Sequence, residues 1–294
     1  MTDSLSAYKQ QILNDFNNRP DYENEFHKRA ATRLVELAKL RSHQQVLDIA
    51  TGTGLAAIAA AQVVGALGWV LGTDFAAGML QQARQKVAGL GLANIEFAEA
   101  DADEQEFSDN QFDVILCSSA IVYFTGIPQA LRQWYNALKP DGTLAFSCLA
   151  ETSPTTSILF REVVQRYGIT IRNPNELLGT HEKCCQILRS IGFENIEITN
   201  EQFGFDLQDA EAAWNGNANS AFGLQGVQWS YQQWEQCKQD YFAAINAVSR
   251  AQDFWNDVTI FFVIARKSNI GDRPSSENFF ASPLDTDATL GFYD

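Results

Sequence analysis

The segment 46–54, Val-Leu-Asp-Ile-Ala-Thr-Gly-Thr-Gly, constrains the fold of this chain more than any other. An apolar run typical of a strand leads into a glycine turn and then into an alanine-rich stretch typical of a helix. Glycines let the backbone approach a ligand closely, and the N-terminus of the following helix presents free N–H groups. Asp74 ends the next apolar run, 69–73, where a carboxylate can accept both hydroxyls of a ribose. The pattern therefore predicts the opening of a nucleotide-binding βαβ unit.

Asp48 stands at the end of the first strand, just before the glycine turn. A carboxylate in this place repels a pyrophosphate and attracts the cationic end of a ligand, such as an amino group. The spacing of Gly52, Gly54 and Ala57 also fits the fingerprint of dinucleotide-binding proteins, so an NAD-dependent oxidoreductase is an alternative. Asp48 and the acidic segment 100–103 argue against that alternative.

Strands and helices alternate from residue 45 to residue 149, after two helices predicted at 4–17 and 24–40. The predicted elements are strand 45–50, helix 54–65, strand 69–74, helix 76–89, strand 94–98, strand 112–117, helix 127–138 and strand 142–149, with a turn at 139–142. Such alternation predicts an α/β fold with a doubly wound, mostly parallel sheet and right-handed crossovers. We expect seven strands once the C-terminal part is included.

The pattern changes after residue 150. Helices are predicted at 155–168 and 181–191, and strands at 194–200 and 257–266. The segment between these strands, about 201–256, is rich in aromatic side chains, and an insertion of this size predicts a mainly helical cap before the last strand. The cap residues Trp214, Phe222 and Trp229 are candidate substrate contacts, and the alternative is that they form the cap's own small core.

The expected organisation is one domain over residues 1–267, with a cofactor-binding core at about 24–150. Residues 268–294 contain Gly, Pro, Ser and acidic residues without periodicity, which is typical of a flexible tail or of a linker to a fused or partner domain.

The net charge of −15 disfavours nucleic acids and anionic membranes as partners. The five cysteines have no spacing typical of a metal site, and we expect no metal. The N-terminus lacks the pattern of a signal peptide, and no apolar stretch reaches the 18 or more residues of a membrane span. We therefore expect a reduced, cytoplasmic protein.

With these motifs together, the sequence resembles the class I S-adenosylmethionine-dependent methyltransferases. Segments 46–54, 72–75, 100–103 and 138–144 carry the resemblance, and Asp74-Phe75 followed by Met79-Leu80 is similar to the quinone-biosynthesis and small-molecule subgroup. The resemblance implies S-adenosylmethionine as the cofactor, with an acid after the third strand that meets the adenine. The implied cofactor-binding residues are Asp48, Ala50, Thr51, Gly52, Gly54, Asp74, Phe75, Met79, Asp101, Ala102 and Ser118.

The chain departs from the family pattern at Ala50, where many members have glycine. We expect Ala50 to narrow the space beside the methionine part of the cofactor without closing it. Ser118 follows the fourth predicted strand, and the loop 119–124 after it should line the space between cofactor and substrate. This loop differs from the Asn-Pro-Pro-Tyr signature of enzymes that methylate nucleobases or glutamine, which also argues against nucleic-acid substrates.

Three residues are candidates for catalytic roles, each with a plainer alternative. Tyr22 lies in the N-terminal segment that covers the cofactor in relatives, or it belongs to an ordered loop packing on the core. Tyr123, in the loop after the fourth strand, either lines the space between cofactor and substrate or packs on the next helix. His181 opens a predicted helix and has a side chain suited to general base catalysis at neutral pH, or it is merely solvated.

Methyl transfer releases a neutral thioether, so the enzyme chiefly has to orient the reactants and exclude water. The absence of a catalytic triad is therefore compatible with catalysis. We expect methyl transfer to a small or medium-sized organic acceptor, with O-methylation favoured, for example of a carboxylate of a specialised metabolite or peptide. The alternatives are C-methylation of a quinone precursor and a non-catalytic cofactor-binding scaffold.

Overall fold

A computed structural model of the chain describes residues 6–19, 23–207, 209–249 and 254–268. Its main feature is a seven-stranded sheet in the order β3-β2-β1-β4-β5-β9-β6. The strands are β1 (Gln45–Ile49), β2 (Trp69–Asp74), β3 (Ile95–Glu99), β4 (Phe112–Cys117), β5 (Leu138–Leu149), β6 (Phe193–Gln202) and β9 (Thr259–Lys267). The sheet is parallel except for β9, which is antiparallel to both of its neighbours. The predicted α/β fold with a mostly parallel, doubly wound sheet is confirmed.

The parallel register brings the carboxyl ends of β1, β2 and β4 to one edge of the sheet. Asp48 is level with Gly72 of β2 and with Leu116 of β4, one residue before β4 ends. Functional groups that follow these strands therefore lie close together, as expected for sheets of this kind.

Helices cover both faces of the sheet. They are α1 (Ala7–Asn17), α2 (Glu25–Ala38), α3 (Leu55–Val64), α4 (Ala77–Leu90), α5 (Ile127–Ala137), α6 (Thr155–Gln165) and α7 (His181–Ile191). On one face α2 and α3 pack on alternate strand residues such as Val46 and Val114. On the other face α5 and α7 pack on Leu47 and Ile115. Successive residues of one strand therefore belong to the two hydrophobic cores on opposite faces of the sheet, because strand side chains alternate between the faces.

The predicted turn at 139–142 is wrong. These residues belong to β5, and Asp141 has a φ of 62°. Leu138 pairs with Phe112 and Thr143 pairs with Val114, so the extra residues bulge out of the ladder. A Pro-Asp-Gly sequence is compatible both with a bulge and with a turn, and only the pairing of the strand with its neighbour distinguishes the two.

The mainly helical cap before the last strand is confirmed. It contains β7 (Phe205–Leu207), α8 (Ala210–Ala218), α9 (Tyr231–Val248) and β8 (Phe254–Asn256), with β7 and β8 forming a separate two-stranded sheet. Helix α6, which follows β5 and lies outside the predicted insertion, packs on α8 and α9. The proposed cap boundaries of 201–256 therefore leave out one of its packing partners.

Two further sequence expectations concern the ends of the chain. From residue 269 onward, the expected tail lies outside the described residues, as does Tyr22. No helix in the described parts of the chain is both long enough and apolar enough to cross a membrane.

Candidate functional site

A cavity opens at the carboxyl edge of the sheet, beside the ends of β1, β2 and β4. Most of its wall comes from the four segments that follow the first four strands. The lining residues from these segments are Asp48, Ala50–Thr53, Asp74, Phe75, Ala100–Asp103 and Ser118–Ala120. Nearly all the cofactor-binding residues named from the sequence are thus brought together.

The glycine turn after β1 bends sharply. Ala50, Gly52 and Gly54 have φ values of 51°, 56° and 83°, in the left-handed region that favours glycine. A Cβ on Gly54 would also lie 3.2 Å from Cβ of Ala83 and from the ring of Phe97. Close packing and conformation therefore both require glycine there, and Ala50 carries a side chain in a conformation that costs alanine more than glycine.

Asp74 holds the turn against β2. One of its oxygens, Oδ2, accepts the backbone N–H of Gly52 at 2.8 Å, and Oδ1 accepts that of Ala76 at 2.8 Å. Burial raises the pKa of this carboxyl, while the backbone N–H groups act in the opposite direction. A carboxylate has about four acceptor positions, so Asp74 retains capacity for the two hydroxyls of a ribose.

Asp48 is the most deeply buried charged group of the cavity wall, with 1% of its surface exposed. Its Oδ2 accepts the hydroxyl of Thr51 at 2.6 Å, and the backbone N–H of Ala57 also acts on the carboxyl to lower its pKa. Its Oδ1 lies within hydrogen-bond geometry of no group among the residues that the structure describes. Burial raises the pKa of Asp48 to about 7. A buried oxygen without a partner is costly unless a ligand satisfies it, and an ammonium group does so best.

Two aspartates of the acidic segment after β3, Asp101 and Asp103, have different contacts. Asp103 accepts N–H groups of Thr125 and Gly126, at 3.0 and 3.2 Å, and so supports the loop before α5. Burial acts against ionisation of Asp103, but these bonds and Lys9 outweigh it and hold its pKa below the usual range. Asp101 accepts the N–H of Asp103 through Oδ1 and the ammonium of Lys9 through Oδ2, at 3.0 and 2.6 Å.

The loop after β4 supplies the wall opposite Asp74. Ser119 has a φ of 55° and donates its N–H to the hydroxyl oxygen of Ser147 at 2.8 Å, which holds the backbone next to Ser118. Farther along, Tyr123 ends a 3₁₀ turn that starts at Ile121 and also lines the cavity. Burial raises the pKa of the Tyr123 phenol.

Tyr123 is also where the cap meets the cavity. Phe222, in the loop between α8 and α9, stacks on Tyr123 with ring centres 5.4 Å apart and an interplanar angle of 15°. From α1, Phe16 contacts the same ring edge to face at 5.4 Å. Three parts of the chain that are distant in sequence thus form one aromatic cluster.

Six residues proposed from the sequence do not line the cavity: Phe222, which reaches it only through Tyr123, Gly54, which packs against Ala83 and Phe97, and the four described next. Trp214 is buried in the cap core against Phe160, and Trp229 packs at the edge of that core. Met79 is buried on the inner face of α4. The exposed His181 pairs with Asn200.

Helices α1 and α2 contribute residues that the sequence did not indicate as functional. Lys9, Ile12 and Phe16 of α1, together with His27 and Ala31 of α2, line the cavity. The sequence predicted helices at 4–17 and 24–40, but a local helical pattern does not show which surface a helix covers.

With this geometry in view, comparisons with known proteins are informative. A family described as a methyltransferase domain matches residues 46–142. Over 146 residues, the chain is 32% identical to the aklanonic acid methyltransferase DauC of Streptomyces sp. (strain C5), covering 48% of this chain and 66% of DauC. It is 30% identical over 184 residues to the ubiquinone/menaquinone biosynthesis C-methyltransferase UbiE of Klebsiella pneumoniae, covering 56% of this chain and 72% of UbiE.

The chain belongs to the class I S-adenosylmethionine-dependent methyltransferases. The cofactor of this methyltransferase family is S-adenosylmethionine. Coverage of individual relatives is partial, since the chain spans 49% of the UbiE of Pseudomonas putida, at 37% identity over 43% of its own length.

Solved structures support the fold assignment. YcgJ of Bacillus subtilis is similar with a TM-score of 0.58 and 17% identity, over 82% of this chain and 99% of YcgJ. Phosphoethanolamine N-methyltransferase 2 of Haemonchus contortus, in complex with S-adenosyl-L-methionine, is similar with a TM-score of 0.54 and 18% identity, over 89% of this chain and 57% of that protein. At these identities the similarity concerns the fold alone.

The residues of the cavity fit the cofactor of the methyltransferase family. The unsatisfied Oδ1 of Asp48 suits the ammonium of the methionine part, and the carboxylate of Asp74 suits the ribose. Between them the turn lines the cavity with Gly52, which has no side chain to fill the space.

Proposed function

We propose that this chain transfers the methyl group of S-adenosylmethionine to a small or medium-sized organic acceptor held between the cofactor cavity and the cap. The observation that carries the proposal is the buried, unpartnered Oδ1 of Asp48, next to the glycine turn and level with β2. An oxygen in that state favours a ligand with a cationic end, which S-adenosylmethionine has and a dinucleotide pyrophosphate lacks.

In this proposal each part of the wall has one task. Asp48 binds the ammonium, Asp74 binds the ribose hydroxyls, and Asp101 with the N–H of Ala102 meets the adenine. Bound S-adenosylmethionine supplies an electrophilic methyl group whose leaving group is a neutral thioether, so no residue has to act as an acid. The chain's remaining work is to orient the acceptor and to exclude water.

The acceptor side is aromatic, which supports an acceptor with an apolar, planar part. Tyr123 lines the cavity, and Phe222 of the cap stacks on its ring. Because burial raises the pKa of Tyr123, its hydroxyl stays protonated near neutral pH and suits orientation of an acceptor rather than proton removal. His181 is exposed and outside the cavity lining, so its position does not support the proposed role as a base.

We propose oxygen as the acceptor atom, with a carboxylate of a specialised metabolite or peptide as one example. A carboxylate is already anionic and needs no base, which agrees with the protonated Tyr123. Carbon is the second candidate atom, because UbiE is named as a C-methyltransferase of ubiquinone/menaquinone biosynthesis. We also propose a cytoplasmic location, which the five free cysteines support, and it can be checked by cell fractionation.

The first experiment is calorimetric titration with S-adenosylhomocysteine, NAD and NADP. Binding of S-adenosylhomocysteine alone, at micromolar dissociation constants, is the expected result. Binding of a dinucleotide instead would overturn the argument from Asp48.

The second experiment tests turnover. The protein is incubated with S-adenosylmethionine and panels of carboxylates, phenols and quinone precursors, and products are analysed by mass spectrometry. A methyl ester is hydrolysed by alkali, whereas an aryl methyl ether and a C-methyl product are not. The NMR chemical shift of the new methyl group then separates O-methyl from C-methyl products. Cofactor binding without any methylated product across these panels would favour the scaffold alternative.

A further inference from the structure

Helix α1 lies over the cofactor cavity and is attached to it through Lys9. The ammonium of Lys9 is 2.6 Å from Oδ2 of Asp101 and 3.2 Å from Oδ2 of Asp103. The side chains of the three residues are 12%, 18% and 10% exposed, so water screens this ion pair only in part. Lys9 is thus a well-shielded contact between α1 and the segment that follows β3.

The two ends of α1 are held differently. At the C-terminal end the side-chain oxygen of Asn17 accepts the N–H of Gly78 at 2.8 Å, and Gln82 donates to the carbonyl of Arg19 at 3.0 Å. A Cβ on Gly78 would lie 2.6 Å from the carbonyl oxygen of Asn17, so α4 and this end of α1 are in backbone contact.

Glu23 adds a second attachment beyond the C-terminal end of α1. Its carboxylate accepts the hydroxyl of Thr53 at 2.9 Å and pairs with Lys86, which also donates to the carbonyl of Thr53 at 2.6 Å. The C-terminal end is therefore fixed to the glycine turn and to α4 by several contacts.

Within the described part of the chain, the N-terminal end of α1 has fewer attachments than the C-terminal end. Besides the Lys9 ion pairs, the hydroxyl of Tyr8 donates to the carbonyl of Tyr123 at a long 3.4 Å, and the Tyr8 ring lies 6.3 Å from that of Phe222. Rotation of α1 about its C-terminal end would therefore break chiefly the bonds of Lys9. Such a rotation would also lift Ile12 and Phe16 from the cavity that they line.

Asp101 both binds Lys9 and lines the cavity in which the ligand would bind. Its two oxygens already accept from Lys9 and from the N–H of Asp103, and it lines the cavity at the position expected for the adenine. An ammonium has three N–H donors, and the bonds to Asp101 and Asp103 use two of them. The carboxylate of Glu104 is 3.9 Å from the ammonium, beyond hydrogen-bond distance, so the third N–H remains for an acceptor atom of a bound ligand, such as a ring nitrogen of adenine.

We propose that Lys9 is a cofactor-positioning residue that closes α1 over the nucleoside end of the cavity, so that closure of α1 and binding of the adenosine part stabilise each other. The proposal rests on the proposed cofactor site. Closure requires the Lys9 ammonium, and release of the ligand requires its bonds to Asp101 and Asp103 to break. Lys9 thus governs mainly how long the ligand stays, while the rest of the wall governs whether it binds at all.

The test compares Lys9→Met with Lys28→Met. Methionine keeps most of the apolar length of lysine and removes the charge. The control makes the same change on the exposed surface of α2, away from the cavity lining. Association and dissociation rates of S-adenosylhomocysteine are measured by surface plasmon resonance, with thermal unfolding recorded for each variant.

We expect Lys9→Met to speed dissociation by about tenfold and to change association by less than about threefold. Lys28→Met should match the parent protein, and Lys9→Arg, which keeps the charge, should restore slow dissociation. An unchanged dissociation rate in a folded Lys9→Met variant would overturn the proposal, as would equal effects of Lys28→Met. Failure of the unaltered protein to bind S-adenosylhomocysteine would instead remove the proposed cofactor site itself.

A second measurement needs no variant. Hydrogen exchange of residues 6–19 is followed in the unaltered protein with and without S-adenosylhomocysteine. Slower exchange of these amides on binding is expected, because ligand and α1 then hold each other in place. Identical exchange in both states contradicts the proposed coupling.

Discussion

The wall of the cavity and the cap meet at the stacked rings of Tyr123 and Phe222 but are built in opposite ways. The wall of the cavity is polar, and its groups lie at the carboxyl ends of strands, as Asp48 and Asp74 do, or directly after them. The cap is apolar, and its core joins residues that are distant in sequence, such as Phe160, Trp214 and Tyr241. Among the residues that the structure describes, Phe222 is the cap aromatic that stacks on a residue of the cavity wall.

The role of a residue can be inferred from the sequence more directly for the charged groups of the cavity wall than for the aromatic side chains of the cap. A charged group at a strand end has few plausible partners, because a buried charge must be satisfied by specific groups or by a ligand. An aromatic side chain packs equally well in a core or against a substrate, so its role depends on what tertiary contact it makes. The two regions should therefore respond to mutation in different assays.

Trp214→Ala should give the largest effect, and it should act on stability alone. Trp214 is 5% exposed and packs on Phe160 and Tyr241, so its truncation should lower the free energy of unfolding by about 3–5 kcal/mol. Urea denaturation measures this loss, and calorimetry should show an unchanged affinity for S-adenosylhomocysteine. The control is Tyr231→Ala, which removes a cap aromatic that is 81% exposed. A Trp214→Ala variant that is as stable as the parent protein but no longer methylates the acceptor would contradict the assignment of Trp214 to the cap core.

Asp74→Ala should act on the cofactor. Loss of hydrogen bonds to the ribose should weaken binding of S-adenosylhomocysteine by about 1–3 kcal/mol. Calorimetric titration gives the affinity, with Glu96→Ala on the exposed side of β3 as the control for lost negative charge. An affinity equal to that of the parent protein would rule out the ribose assignment.

Cofactor affinity should depend on pH through Asp48. Burial raises its pKa to about 7 in the free protein, whereas binding of an ammonium requires the carboxylate to be ionised. Affinity should therefore fall about tenfold per pH unit below pH 7, and again above about pH 8 as the ligand's amino group loses its proton. Calorimetric titrations at pH values from about 5.5 to about 9 measure this dependence of cofactor affinity on pH. Asp48→Asn should remove the acidic limb, and a flat profile in the unaltered protein would contradict the assignment.

The same group has the opposite consequence for folding. Because the pKa of Asp48 is higher in the folded than in the unfolded chain, its contribution to stability is fully present below about pH 4 and is lost as pH rises through about 7. In the ligand-free protein, Asp48→Asn should therefore cost less stability at pH 8 than at pH 5. Urea denaturation at the two pH values measures the difference.

Phe222→Ala should give the smallest effect and should affect the acceptor. Loss of its stacking on Tyr123 should raise the KM for the acceptor by an amount equivalent to about 0.5–1.5 kcal/mol, while cofactor affinity stays unchanged. Steady-state kinetics with an acceptor identified by the mass spectrometric panels measures this change. Phe205→Ala, which truncates a cap phenylalanine that is 51% exposed, serves as the control. An equal loss in both variants would show that the cap as a whole, not the Phe222 stack, determines acceptor binding.

Much of the sheet was predictable because each strand carries its own apolar pattern. The bounds of β1, β2 and β4 differ from the predicted ranges by at most one residue. The prediction failed at 139–142, where Pro-Asp-Gly belongs to a bulge of β5, because local turn residues do not reveal strand pairing. The packing of α6 on the cap helices α8 and α9 was missed for a similar reason. The apolar face of a helix shows that the helix packs on something, but not on which element it packs.

By itself, the amino-acid sequence determined the α/β fold, the glycine turn and the acids that follow β1, β2 and β3, because these features depend on periodicity and on residues close together in the chain. Only the tertiary structure decided that Lys9 reaches Asp101, that Phe222 stacks on Tyr123, and that Trp214 faces its own core. Such contacts join segments that are up to about a hundred residues apart. They arise from the packing of whole elements, which no local pattern encodes.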